Sequence, residues 1–354
     1  MKQIALILSV AVHTAGQAGV LVVDNSPGSG APYSNLQTAI DAAAGGDTIM
    51  IQPSPASYGN ITITKQLVLI GPGHHAVNGR NASVGHVSLV SASSNSMITG
   101  CVIGRVYQQG SQQTHGIRVV RNYFTWVPGA NYMIHADGVD ADNWLIEGNV
   151  FGNIQGFCIF IGANKDNWLF RNNLFINSTS ASHRLFNGLN STTVFYHNVI
   201  VHRHTGQLFG GASGTQSDEA YFQNNIIWVT VNGNTVLDAN CVGCSWVHNL
   251  TYMTGGTLDT LPGTTNMDNT DPQFVNVPAS TFDFDNDYHC APGSPGATGA
   301  SDGGMLGIHG AGYPFNMNNL PEGIPRMLDM ILDNVIMPPG TNTTVRVKAT
   351  GGAD

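Results

Sequence analysis

"DNWLIEGNVFGNI" occupies residues 142–154, and "DNWLFRNNLFINS" follows it at residues 166–178. The two stretches align column by column, and the likeness extends beyond them. An Asn stands late in each of six units, at Asn122, Asn149, Asn173, Asn198, Asn225 and Asn249. The spacing is nearly constant, at roughly 25 residues per unit, which is a repeat period. From Asn149 onward, the position three before the anchor holds Ile146, Phe170, Phe195, Phe222 and Trp246. The position one after it holds Val150, Leu174, Val199, Ile226 and Leu250. Both columns are wholly apolar. Five before the anchor stand Trp144, Trp168, Thr193, Ala220 and Cys244.

Within a unit, apolar positions alternate with others at period two, which is a strand pattern. The column two before the anchor (Glu147, Arg171, Tyr196, Gln223, Val247) is variable and should face solvent. No helical stretch separates the units. A repeat of this length without helices is that of a stacked solenoid whose turns are built from short strands. The expected fold is all-β: a single-stranded right-handed parallel β-helix in which the anchor Asn residues form an amide ladder. About ten rungs between Gly46 and Cys290 would make a rod roughly 50 Å long at the ordinary strand spacing. A leucine-rich repeat needs a Leu-x-x-Leu-x-Leu frame, which this chain lacks, and a propeller needs longer four-stranded units.

The composition agrees. Charged residues are only 10% of 354 positions and Gly takes 43 of them, as suits a turn-rich β protein. The net charge of −9 argues against nucleic-acid partners and anionic lipid. Beyond the start, no apolar run is long enough to span a membrane. Lys2, the apolar "IALILSVAV" and small residues at Gly16 and Ala18 read as a signal peptide over residues 1–18, which implies a secreted or cell-surface protein. The five Cys then face an oxidising compartment, and an odd number leaves at least one unpaired. Cys241-x-x-Cys244 suits a local disulfide more than zinc, because no second pair follows it, although a buried free thiol at Cys244 is also open.

"NLQTAIDAAAGGDTIMIQP" reads as a front cap. Leu36, Ile40 and Ala43 lie on one helical face, Gly45 and Gly46 stop the helix, and "DTIMI" opens a strand. This opening, and the later "DPQFVNVP" and "PGSPGATGASDGGMLGIHG", resemble the ends of right-handed parallel β-helix repeat proteins of the pectin-lyase-like superfamily. The resemblance covers roughly residues 20 to 312, so the β-helix is expected over 19–312. Residues 313–354 read as a small C-terminal β extension, with "TTVRVKA" as a strand and the segment from Arg326 to Asn334 as strand or helix.

Enzymes of that superfamily cleave polysaccharides lying along the rod, so the resemblance directs attention to outward carboxylates. "HADGVDADN" supplies His135, Asp137, Asp140 and Asp142 within eight positions. His135, Asp137 and Asp140, with the cation Arg184 two turns on, are the catalytic candidates for a lyase or hydrolase. Asp137, Asp140 and Asp142 are candidate calcium ligands. "DGVD" is similar to a rung of polygalacturonase-type enzymes, but the next rung reads "QGFC" where that family carries paired Asp. Lys165 and Arg171 are the other nearby cations, and Glu147 should pair with Arg171 across one turn. "DFDNDYH" (283–289) begins like a calcium loop but lacks the Gly and closing Glu of one. Two functions are expected from this set. The first is a non-catalytic exported scaffold that binds extracellular polysaccharide or other copies of itself. The alternative is a pectate-lyase-like lyase or glycoside hydrolase.

Overall fold

The computed structural model describes residues 18–74, 81–126, 132–163, 165–177, 184–203, 207–210, 216–230 and 235–317, and the backbone of 326–332 and 345–350. The expected signal peptide lies outside the described residues except for Ala18.

The chain forms a parallel β-solenoid. One sheet stacks ten parallel strands, running in order from Val20–Val23 and Thr48–Ile51 to Tyr221–Gln223 and Ser245–Val247. The units of the sequence repeat are its later rungs: Leu145–Glu147, Leu169–Arg171 and Val194–Tyr196 pair in register. The strand Val20–Val23 precedes the expected first strand and pairs with it along its whole length. The coil makes about eight turns, and its Asn ladder ends at Asn266, short of Cys290. At strand spacing this is roughly 40 Å of rod.

A twelve-stranded sheet wraps the other faces and forks. The long strand Val102–Gln108 pairs through its first half with Tyr123–Phe124 and through its second half with Tyr132–Ala136. From there the second face continues through Val150–Ile154, Leu174–Asn177, Val199–His202, Ile226–Val229 and Leu250–Met253. The third face continues through Phe157–Ile161 and Phe186–Asn187.

At the corner between the first and second faces, the residue before each anchor Asn adopts a left-handed conformation: Arg121, Gly148, Asn172, His197, Asn224 and His248 have φ between 52° and 63°. The anchors that follow are fully buried. Each side-chain Oδ1 accepts from both the backbone N–H and the Nδ2 of the Asn one turn earlier, at 2.8–3.2 Å. The ladder is longer than its six Asn. Cys101 donates its backbone N–H to Asn122, and Asn266 receives Asn249 at the far end.

The corner also breaks the alternation of the sequence. Positions three before and two after the anchor point inward, and their rings stack: Phe170, Phe195, Phe222 and Trp246 at 4.2–4.9 Å between neighbours, and Phe124, Phe151 and Phe175 at 4.5 and 4.7 Å. Trp144 stacks on Trp168 in the same core. The column one after the anchor, equally apolar, points out of the rod. It is buried because residues 267–317 return along the second face as a strap. Val150, Leu174, Val199, Ile226 and Leu250 pack there against Tyr288, Cys290, Leu306 and Ile308. A sheet apolar on both sides is the expected result of covering both sides. The strap is hydrogen-bonded as well as packed: Gly307 N–H donates to Asn224 O, and Asn172 Nδ2 donates to Ile308 O (both 3.0 Å). Further back, the Arg121 guanidinium lies 5.1 Å over the Tyr313 ring.

The front cap is the helix Leu36–Ala42, started by Asn35, whose side chain accepts from Thr38 N–H. Leu36, Ile40 and Ala43 are buried as expected. The helix ends one residue before Ala43, and Asp47 closes the exit by accepting from the N–H of Ala44 and of Gly19. Cys241 and Cys244 are joined as a disulfide, while Cys101, Cys158 and Cys290 are free and buried. Arg326–Leu332 and Val345–Thr350 pair as an antiparallel hairpin, which makes the ambiguous first segment of the C-terminal extension a strand.

Candidate functional site

The third face carries the side chains with the most chemistry. Its register places Ser88, Tyr107, His135, Phe160 and Asn187 in one row. Ile134, Ala136, Ile159 and Ile161 alternate with that row and fill the core. The outward side chains Tyr107, Tyr132, His135, Phe157 and Phe160 are half-buried and form an aromatic surface across three turns. The Tyr132 ring lies 5.1 Å from His135 and 5.0 Å from each of Phe157 and Phe160, while His135 lies 5.1 Å from Phe160.

Arg105 joins this surface to the preceding turn. Its Nη2 donates to His135 Nδ1 at 2.7 Å, and its guanidinium carbon sits 4.6 Å over the Tyr107 ring. Arginine has only donors, so Nδ1 of His135 is the acceptor and the neutral ring carries its proton on Nε2. Burial pushes the His135 pKa down to about 4, helped by the Arg105 and Lys165 cations and opposed by Asp137. The ring is therefore neutral at physiological pH, with one nitrogen already occupied.

The acidic lead-in to the repeat lies beside a buried cation. Lys165, in the next turn, is only 2% exposed. Its Nζ donates to Ala163 O at 3.0 Å, and burial lowers its pKa against the opposing pull of Asp137, Asp140 and Asp142. All three carboxylates favour the charged form of this ammonium, which would be costly to bury alone. The loop that holds them is fixed by its backbone. Asp140 O accepts from Thr114 N–H and from the Gln108 side chain, and Gln108 Oε1 accepts from Gly138 N–H. Asp142 Oδ1 accepts from Asp166 N–H at 2.8 Å, so the repeated Asp is a turn-to-turn brace.

Of the catalytic candidates, His135, Asp137 and Asp140 lie in or beside this face. Arg184 instead donates to Gln207 one turn further on (3.4 Å). Among the described residues it has no hydrogen bond to the other three. The calcium trio is not assembled as a set: donor atoms of Asp140 and Asp142 lie within 4.8 Å of one another together with His115, not Asp137. Two carboxylates, an imidazole and a nearby ammonium make a poor calcium shell, which needs six to eight oxygens. Glu147 and Arg171 do pair, at 2.9 Å.

Sequence reasoning missed Arg105, Tyr107, Tyr132, Phe157 and Phe160. A signal was present: Phe157 stands one repeat interval after Tyr132, and Phe160 stands one repeat interval after His135. Neither a protein-family model nor a curated protein matches this chain.

Proposed function

We propose that this chain is an exported, non-catalytic scaffold of the pectin-lyase-like kind that binds an extracellular polysaccharide along its third face. The observation that carries the proposal is the continuous row of Tyr132, His135, Phe157 and Phe160 rings beside Arg105. Aromatic rings with a polar edge suit ligands that are apolar on one face and hydroxylated at the rim, and pyranose rings have that character. Successive strands lie roughly 4.8 Å apart, so a glycan running along the rod axis meets ring after ring. Arg105, the Nε2–H of His135 and the exposed Asp137 supply donors and acceptors at the edge.

Support for chemistry is weaker. A lyase or glycosidase needs a positioned base with a free lone pair, or two carboxylates across the scissile bond. Here the basic nitrogen of His135 is taken by Arg105, and Lys165 is enclosed by protein.

The test is retention of the full chain by neutral and uronate polysaccharides in affinity electrophoresis. Tyr132→Ala and Phe160→Ala are expected to weaken retention tenfold or more, while Arg184→Ala leaves it unchanged. In parallel, unsaturated-uronate absorbance and new reducing ends are followed. Cleavage abolished by Asp137→Ala would overturn the non-catalytic reading. Undiminished retention of both aromatic variants would overturn the assignment of the face.

A further inference from the structure

The strap holds a second cluster of donors, far from the third face. In the strand Asp287–Cys290, side chains alternate. Tyr288 and Cys290 point into the buried interface with the rod, at 1% and 2% exposure. Asp287 and His289 point the other way. His309, on the short 3-10 turn Gly307–His309, lies against them: the two imidazole rings stack with centroids 3.4 Å apart. Asp287 Oδ1 lies 2.6 Å from His289 Nδ1 and also accepts the His289 backbone N–H at 3.0 Å. One donor atom from each of the three residues falls within 4.8 Å of the others.

We propose that Asp287, His289 and His309 bind one divalent transition-metal ion of the zinc class, and that this ion clips the two halves of the strap together. Donor atoms on a tetrahedral zinc lie roughly 3.3 Å apart at ordinary bond lengths; the three donor atoms already fall within 4.8 Å of one another, so a modest rotation of the two imidazole rings out of their stack turns their lone pairs onto one ion. Two imidazoles and one carboxylate select a borderline ion such as Zn²⁺ over Ca²⁺ or Mg²⁺, which take oxygen shells. The ion replaces the hydrogen bond between Asp287 and His289, its proton passing to the outer ring nitrogen or to water, and a half-open site leaves the remaining position to water. The "DFDNDYH" stretch thus contributes only its final Asp and His, and the third ligand comes from the later "GIHG".

The clip joins a strand of the strap to the turn that fastens it to the rod through Asn224 and Asn172. The experiment uses full-length protein without a histidine tag, stripped with EDTA and titrated with Zn²⁺ against a chromogenic chelator. Co²⁺ serves as a second, spectroscopic probe. One ion per chain is expected, with a higher thermal midpoint in Zn²⁺ than in EDTA and no displacement by millimolar Ca²⁺. His289→Gln, an exposed substitution, and Asp287→Asn should each weaken binding tenfold or more and abolish the midpoint shift, with the circular dichroism of the folded protein retained. His309→Gln should do the same. His115→Gln, in the other His–Asp cluster, should change nothing. Absence of stoichiometric binding, loss of binding in His115→Gln, or unchanged binding in folded His289→Gln would each overturn the proposal.

Discussion

Replacing Asn173 by Ala tests whether the ladder holds the turns together or merely occupies the corner. Asn173 is fully buried and makes four side-chain hydrogen bonds. Its Oδ1 accepts from the backbone N–H and Nδ2 of Asn149, at 3.0 and 3.1 Å. Its Nδ2 donates to Ile146 O and to Asn198 Oδ1, at 2.8 and 3.0 Å. After truncation, Asn149 Nδ2 keeps Val119 O, and Asn198 Oδ1 keeps the backbone N–H of residue 173. The N–H of Asn149 keeps nothing. One orphaned buried donor costs about 1–3 kcal/mol, and the lost bonds add about 1 kcal/mol or more each where a partner is left weaker. The expected loss is about 3–5 kcal/mol. Asn266, at the half-exposed end of the ladder, accepts the same pair of bonds from Asn249. Water can replace it there, so Asn266→Ala should cost about 1 kcal/mol. Urea unfolding followed by the fluorescence of buried Trp144 and Trp168 gives both numbers. A loss below about 1 kcal/mol for Asn173→Ala, or equal losses at the two positions, would refute the reasoning.

Other outcomes follow from particular residues. His135 binds a proton in the unfolded chain below its ordinary pKa of about 6.5 but in the folded chain only below about 4. Stability is therefore lost as pH falls from about 6.5 toward 4, at no more than about 1.4 kcal/mol per pH unit for this group, and less where solvent screens its open edge. His135→Gln should flatten the difference in denaturation midpoints measured across that window. Gly188 has φ of 73°, and a Cβ there would collide with the backbone oxygen of Ile161. Gly188→Ala should therefore cost about 2–4 kcal/mol in the same unfolding assay. Because Cys101, Cys158 and Cys290 are buried, native protein should give no fast reaction with a thiol reagent, and unfolded, unreduced protein should give three equivalents. Reducing Cys241–Cys244 opens only a very short loop and should lower stability by about 2 kcal/mol.

The repeat made the first face legible. Its strands sit at fixed offsets from the anchor Asn, and the aromatic column is unbroken from Phe170 to Trp246. The same signal misleads one residue past the anchor. Period-two alternation carried through the corner would place Leu174 and Val199 in the rod, whereas the left-handed residue before each anchor resets the phase and turns them out. Their apolar character signalled a second buried layer, but its other half, Tyr288 to Ile308, lies beyond the end of the repeat and shares no column with it. The third face was hidden because its strands have no anchor and the connections around them vary in length. The acidic cluster is visible in the sequence, but the cation beside it, Lys165, comes from the next turn, and His135 meets Arg105 of the preceding turn through strand pairing alone. Local patterns report periodicity well and report partners across turns poorly.

The strap also orders events in the life of the chain. Synthesis runs from the N-terminus, and each turn can stack on the one before it as soon as it emerges, as in other solenoids. The outer stripe from Val150 to Leu250 cannot be finished that way, because its cover follows the last turn in the chain and must travel back over turns already formed. Until Ile308 arrives, a nascent chain presents a greasy ribbon about five strands long, roughly 20 Å by the strand spacing. That interval is the molecule's most aggregation-prone moment, and closing the ribbon is a long-range, late and therefore slow step. A chain interrupted anywhere between Leu250 and Ile308 would own a sound rod and still lack a soluble surface.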